Sequence, residues 1–322
     1  MKKITVLGGG TGTFVVLSGL KSYPVNLSAV VTMMDSGGST GRLRDQLGVL
    51  PPGDLRQSLV ALSEASLLWR RLFLYRFESG DLAGHNFGNI FLSALEKVSK
   101  NYDEVIKNAG YILKTKGKVI PVTFEKTHLV VEYQNGKILK GEGKIDINVG
   151  EKTRIMKAFL EPIVNPNTKA EEAILKADWL IIGPGDLYTS IIPILLVNRI
   201  KKVIKRTKAK IIYVLNLMTK SGQTYNYQAS DHLGDLKKYL GREPEIVLIN
   251  DGRPADNILK WYRQHQEKPV NNDLDRNIFS GKIVSGNLIN NNLYKKNKAD
   301  RLTRTILRHD PKKLAKLIYR QI

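Results

Sequence analysis

The chain has 322 residues, 42% hydrophobic and 25% charged, with 51 Lys and Arg against 30 Asp and Glu for a net charge of +21 and a pI near 9.9. That length suffices for a large core, in one α/β domain or two smaller ones, and the lack of cysteine excludes disulfides, thiolate zinc sites and cysteine nucleophiles and fits a reducing compartment. The positive charge suits nucleic acid, anionic lipid or phosphorylated metabolites, but the lysines are dispersed (Lys201, Lys202, Lys205, Lys208 and Lys210; Lys295, Lys296 and Lys298) with no RNA-binding aromatic signature, which favours a lysine-rich proteome as its origin; a phosphate-rich ligand needs only a few well-placed cations.

"MKKITVLGGG" runs straight into a buried strand, without the apolar core and cleavage site of a signal peptide, and no apolar run reaches membrane-spanning length. A cytoplasmic protein is expected. "TFVVLSGLKSY" predicts a helix and "LSAVVTMM" a second strand, so the chain opens β-turn-α-β, as Rossmann-like folds do. "PPGDLRQSLVALSEAS" predicts a helix with Asp54 as N-cap and Leu55, Leu59 and Leu62 on one face. "LLWRRLFLYRF" is amphipathic, "GHNFGNIFLSALEKVSK" is a loop entering a helix, and "DEVIKNAGYILK" continues helical.

From about 118 to 150 the texture changes to short alternating runs with a "QNGK" hairpin turn, a β-rich insertion within one domain spanning 1–322. The α/β texture then resumes: helix "NTKAEEAILKA", strands "DWLII", "AKIIYVLNLMT" and "PEIVLIND", and helix "ASDHLGDLKKYLG". The region from Pro269 to Lys298 reads as irregular. A helix over about 310–321 follows, with Asp310 as N-cap and Pro311 at its first position. The fold class expected is a three-layer α/β sandwich with a mainly parallel sheet.

Three glycine turns follow strands. In "GGGTGT", Gly8, Gly9, Gly10, Thr11 and Gly12 join strand to helix, where free N–H groups and the dipole hold phosphate. The dinucleotide fingerprint G-x-G-x-x-G fails there, with Thr13 or Val15 where the last glycine would stand. "MMDSGGSTGRLRD" places Asp35 where a ribose-binding acid sits. It adds Gly37, Gly38 and Gly41 for close approach, the hydroxyls of Ser36, Ser39 and Thr40, and Arg42 and Arg44 as phosphate partners. "IIGPGDLYTSIIP" offers Gly183, Gly185, Asp186, Thr189 and Ser190. Asn86 and Asn89 flank a further loop, and Arg56, Asn216, Thr219 and Thr224 are polar candidates. His85 is a candidate acid, although a structural or solvated loop histidine is the plainer reading. Asp35 and Asp54, with Asp231 or Asp186, are candidate Mg²⁺ carboxylates.

In this order, "GGGTGT", "DSGGSTGRLRD", "PPGDLRQSLVAL", "GHNFGNIFLSAL", "IIGPGDLYTSIIP", "NLMT" and "ASDH" resemble the phospholactate-transferase-like (CofD-like) superfamily. More closely they resemble its bacterial gluconeogenesis-factor (YvcK-type) branch. The resemblance covers nearly the whole chain and is weakest over about 115–165 and 255–300. It implies a Rossmann-like fold with a cleft at the strand ends, and a regulatory protein for gluconeogenic growth, cell shape and wall synthesis that binds a UDP-sugar such as UDP-N-acetylglucosamine. Superfamily relatives are Mg²⁺-dependent transferases that move a phospholactyl group.

Carried over by motif, the nucleotide pocket would use Gly8–Gly12, Asp35, Gly37–Gly41, Asn86, Gly183–Ser190 and Asn216. Arg308 in "LRHDP" matches an arginine implicated in UDP-sugar binding. Two departures stand out. Asp186 replaces the usual serine of the third turn, placing a carboxylate near a diphosphate unless Mg²⁺ bridges them. Pro311 stands where the family can carry a phosphorylatable threonine. The leading expectation is therefore a UDP-sugar-binding regulator with protein partners and a possible homo-oligomer. The alternatives are a Mg²⁺-dependent phospholactate-type transferase and an NAD-dependent oxidoreductase.

Overall fold

In the computed structural model, which describes residues 1–294 and 305–322, ten strands form two sheets. They are β1 Lys2–Gly8, β2 Val25–Val31, β3 Lys118–Pro121, β4 His128–Tyr133, β5 Ile138–Lys140, β6 Ile155–Glu161, β7 Trp179–Ile182, β8 Lys210–Val214, β9 Ile246–Asn250 and β10 Lys282–Gly286. The main sheet has the order β10-β9-β8-β7-β1-β2-β3. Each of its pairings is parallel, with Ile4 opposite Trp179 on one side of β1 and Leu27 on the other. Such a sheet is covered by helices on both faces, so its central strands must be apolar on both sides. Hence Ile4, Val6 and Leu7 of β1, Leu180–Ile182 of β7 and Ile211–Val214 of β8 are all buried.

Strand order reverses beside β1: the chain runs outward through β2 and β3, then returns to the other side of β1 as β7 and continues to β8. Open parallel sheets bind ligands at the carboxyl ends of strands on either side of such a switch point. Three helices are placed there. α1 (Gly10–Leu20) follows β1, α2 (Gly38–Leu47) follows β2, and α3 (Gly53–Leu62) comes next. A hairpin through residues 134–137 joins β4 to β5, and the small antiparallel sheet is β5-β4-β6. β3, at the start of the alternating stretch, is an edge strand of the main sheet.

Several local expectations need correction. The run Ser36–Asp45, expected as a glycine turn, is mostly helix: extended Gly37 precedes α2, and Gly38 takes the positive φ (+46°) that starts it. Asp54 is not an N-cap; Pro52 holds that position, and Asp54 sits in the first turn of α3. The stretch after Pro269 is not wholly irregular, because β10 pairs along β9. Its sequence "KIVSG" leaves three of five residues only half buried, so it carries little apolar signal. A helix at Asp256–Gln264 was also unmarked. The C-terminal helix is Pro311–Tyr319, with Asp310 Oδ1 accepting from the Lys312 and Lys313 N–H groups, both at 2.9 Å. Lys295, Lys296 and Lys298 lie outside the described residues. Among the described residues no helix is long and apolar enough to cross a membrane.

The turn after β1 packs directly on the turn after β7. A Cβ on Gly12 would overlap the carbonyl oxygen of Pro184, a backbone atom that cannot swing aside. Gly234, in the helix Ala229–Leu240, has open space where its Cβ would be. Gly12→Ala is expected to cost roughly 1–3 kcal/mol by overpacking, whereas Gly234→Ala should add about 0.5–1 kcal/mol. Urea midpoints of the two variants check this contrast, and a Gly12→Ala protein as stable as the parent would contradict it.

Candidate functional site

A cleft opens at the carboxyl ends of β1, β2, β7 and β8. Its floor is the turn after β1: Gly9, Gly10, Thr11 and Gly12 line it, whereas Gly8 is the last residue of β1. The Gly10 N–H, first in α1, donates to Asp54 Oδ1 at 2.8 Å. α3 therefore delivers a carboxylate to the helix N-terminus, where the dipole stabilises it.

From the turn after β2, Asp35, Gly37 and Ser39 line the cleft, and Ser36, Gly38 and Gly41 do not. Asp35 Oδ1 accepts from the Gly37 N–H at 2.8 Å, which fixes the turn. Gly53 comes so close to Asp35 and Thr40 that any side chain there would collide with both. Ser36 faces the insertion: its N–H donates to Glu142 Oε2 (3.1 Å) and its Oγ accepts from the Gly143 N–H (3.0 Å). Arg42 donates to Ala83 O (3.0 Å) and Arg44 to Thr127 O (2.9 Å), and neither lines the cleft.

Asn86 is 2% exposed and caps the helix Phe87–Val98, accepting from the Asn89 N–H and donating to Tyr75 O. It is not a wall of the cleft, but Asn89 is. The Asn89 Oδ1 accepts from Arg56 Nε at 2.7 Å, and its Nδ2 donates to the hydroxyls of Ser39 and Thr40, each at 3.3 Å. His85 is buried against Ser39 Oγ, 3.3 Å away. This buried network ties α2, α3 and the helix Phe87–Val98 together behind the cleft.

Across the switch point, Gly185, Asp186, Thr189 and Ser190 line the opposite side, with Gly183 behind them. Asn216, after β8, donates its Nδ2 to Gly185 O at 2.9 Å. Arg308 arrives on the segment before the C-terminal helix, its guanidinium 3.6 Å from the ring centroid of Tyr294. That segment is held by a second apolar cluster of Leu217, Met218, Ile258, Tyr262, Ile289 and Leu307. The Leu307 N–H donates to the Tyr262 hydroxyl at 3.0 Å. Asp231 is elsewhere, accepting from the Gln228 N–H and paired with Arg154 at 2.7 Å. Among the described residues no three Asp, Glu or His side chains gather to hold a metal ion.

Other cleft residues carried no sequence motif. Glu142 and Asp146 belong to the short helix Glu142–Asp146 of the insertion, folded back over the cleft. Burial, then the charges of Asp35 and Asp146, push the Glu142 carboxyl well above the usual range. Burial and the neighbouring Asp186 raise Asp146 to about 6. Asp146 Oδ1 accepts from Gln223 Nε2 (2.7 Å) and Thr189 Oγ1 (3.2 Å).

Lys220 is 8% exposed and also lines the cleft. Burial works to lower its pKa, but Asp186, Glu267 and Asp146 together outweigh it and hold the ammonium charged. Its Nζ is 3.9 Å from Glu267 Oε1. Arg56 and Arg76 also border the cleft. The cleft thus offers cations, carboxylates that resist ionisation, and backbone N–H groups at two helix starts, a set that suits a phosphorylated, hydroxyl-bearing ligand.

The sheet order and the cleft at its switch point are those of the doubly wound α/β class. The family model described as 2-phospho-L-lactate transferase CofD matches residues 4–289. The gluconeogenesis factor of Bacillus subtilis is 37% identical over 319 residues, covering 98% of this chain and 96% of its own. That of Halalkalibacterium halodurans is 41% identical over 272 residues, 84% of each chain. A crystal structure of a UPF0052-family protein from Bacillus halodurans superposes with a TM-score of 0.89 at 36% identity, covering 99% of this chain and 98% of that one. The chain belongs to the CofD family, in its gluconeogenesis-factor (UPF0052) branch.

The raised Asp146 pKa has a direct consequence for stability. Between the ordinary value of 3.8 and about 6 the folded protein keeps a proton that the unfolded chain has released, so stability falls as pH rises through that window. Asp146→Asn removes this loss. The difference in thermal midpoint between Asp146→Asn and the parent should move in the variant's favour from pH 4 to pH 7. A pH-independent difference would contradict the assignment.

Proposed function

We propose that the cleft binds a nucleotide sugar of the UDP-N-acetylglucosamine type, and that this binding regulates carbon flow according to the supply of cell-wall precursor. One observation carries the reading: glycine turns from both sides of the switch point meet at Gly12 and Pro184, with Lys220 and Arg308 beside them. Backbone N–H groups and fixed cations together recognise a diphosphate. Carboxylates and amides such as Asp35, Asn89 and Asn216 serve the hydroxyls and base. The names of the relatives support the link to gluconeogenesis.

A dinucleotide fits less well. The G-x-G-x-x-G fingerprint that seats its pyrophosphate is broken here, with Thr13 or Val15 where the last glycine would stand. A second reading, a Mg²⁺-dependent transferase, is favoured by the family description and by Asp35, Asp54 and Asp186 along the cleft. The donor set does not make an all-protein cage. It fits a Mg²⁺ that arrives on a diphosphate and takes one or two carboxylates, where it would offset phosphate charge.

Thermal shift with UDP-N-acetylglucosamine, GDP and NAD, each with and without Mg²⁺, tests the reading. A selective response to the UDP-sugar is expected; a response to NAD or GDP alone would refute it. Arg308→Ala and Lys220→Met should each weaken UDP-sugar binding by about tenfold or more, as for lost charge-assisted bonds. Unchanged affinity in both would remove them from the site.

A further inference from the structure

The side chain of His309, on the wall of the cleft, meets the carbonyl of Leu215 behind it. His309 is pinned on both sides: it bridges Ile289 across an antiparallel pair, and the Asp310 N–H donates to Leu288 O at 2.7 Å. The residue is 5% exposed and lines the cleft. One ring N–H is engaged by the Leu215 carbonyl. That fixes the proton on one nitrogen and leaves Nε2 as a lone pair, and Nε2 is buried with no hydrogen-bond partner.

The residue after Leu215 repeats the pattern. Asn216 spends its Nδ2 on Gly185 O, which orients the amide, and its Oδ1 is likewise buried and unpartnered. Asn216 lines the same cleft. Two buried acceptors without donors, His309 bonded to Leu215 and Asn216 next to it in the chain, are costly unless something supplies the protons. Neither can face a phosphate oxygen, which is itself only an acceptor.

We infer that His309 and Asn216 form an accepting subsite that reads hydroxyl groups of a sugar or ribose edge. The inference rests on the nucleotide-sugar reading and adds to it the groups that accept from the ligand's hydroxyls. His309 stays uncharged for this purpose: burial lowers its pKa to about 4. A charged imidazolium would turn the acceptor into a donor and would favour phosphate instead.

The test uses the full chain with ¹⁵N-labelled histidine, the His309 resonance being assigned by its loss in His309→Phe. Without ligand at pH 7, a neutral ring with one bare nitrogen is expected; an imidazolium would overturn the inference outright. UDP-N-acetylglucosamine should shift the bare nitrogen upfield, and inorganic pyrophosphate should not. By calorimetry, His309→Phe should raise the Kd for UDP-N-acetylglucosamine about tenfold, the loss of one buried hydrogen bond. His309→Gln, which retains an acceptor, should stay within about threefold of the parent by the same argument.

Binding of the UDP-sugar with an unmoved resonance and an unchanged Kd in His309→Phe would overturn the subsite and leave the proposed function standing. An equal loss of pyrophosphate binding would mark His309 as merely structural. If UDP-N-acetylglucosamine gives no binding at all, the proposed function fails instead. Uridine and N-acetylglucosamine are then titrated against the same resonance, and silence from both overturns the subsite too.

Discussion

The cleft depends on the approach of two backbones. The turn after β1 and the turn after β7 touch at Gly12 and the Pro184 carbonyl, with no room for a side chain between them. Parallel pairing of β1 with β7 brings the two strand ends level, and the reversal of strand order at this point leaves the helices to diverge above them. A space bounded by main-chain groups from two turns follows from the topology, and side chains then decide its chemistry.

That chemistry is a balance of opposed charges. Asp54 reaches Gly10, Glu142 reaches Ser36, and Asp146 and Asp186 crowd Lys220. Carboxylates gathered in a poorly solvated space hold their protons more tightly, as the raised Glu142 and Asp146 show. A buried lysine stays charged because those acids surround it. The insertion matters here less as a separate sheet than as the carrier of Glu142 and Asp146. Its short helix is fastened to the β2 turn through the N–H and the hydroxyl of Ser36.

Much of this was legible in the sequence wherever local physics dominates. Unbroken apolar runs marked β1, β7 and β8, the "QNGK" turn marked its hairpin, and Asp310 with Pro311 marked the start of the last helix. The three glycine turns pointed to the strand ends that line the cleft. What local pattern cannot give is direction. Arg42 and Arg44 have the chemistry of phosphate ligands, but α2 aims them at Ala83 and Thr127. Asn86 reads equally as ligand residue or cap, and tertiary packing makes it a cap. Lys220 and Glu142 belong to no motif, His309 stands in "LRHDP" but only its neighbour Arg308 was marked there, and long-range packing brings all three to the switch point. β10 was hidden because an edge strand, half exposed, needs few apolar residues.

The central claim is that the two glycine turns flanking the switch point hold the diphosphate of a nucleotide sugar. A crystal structure of the protein grown with UDP-N-acetylglucosamine tests this most directly. The account predicts density for two phosphates between Gly9–Gly12 and Gly185–Ser190, within reach of Lys220 and Arg308. Well-ordered ligand elsewhere, for example in the second cavity bordered by Asn250 and Asn272, with the turns untouched, would contradict it.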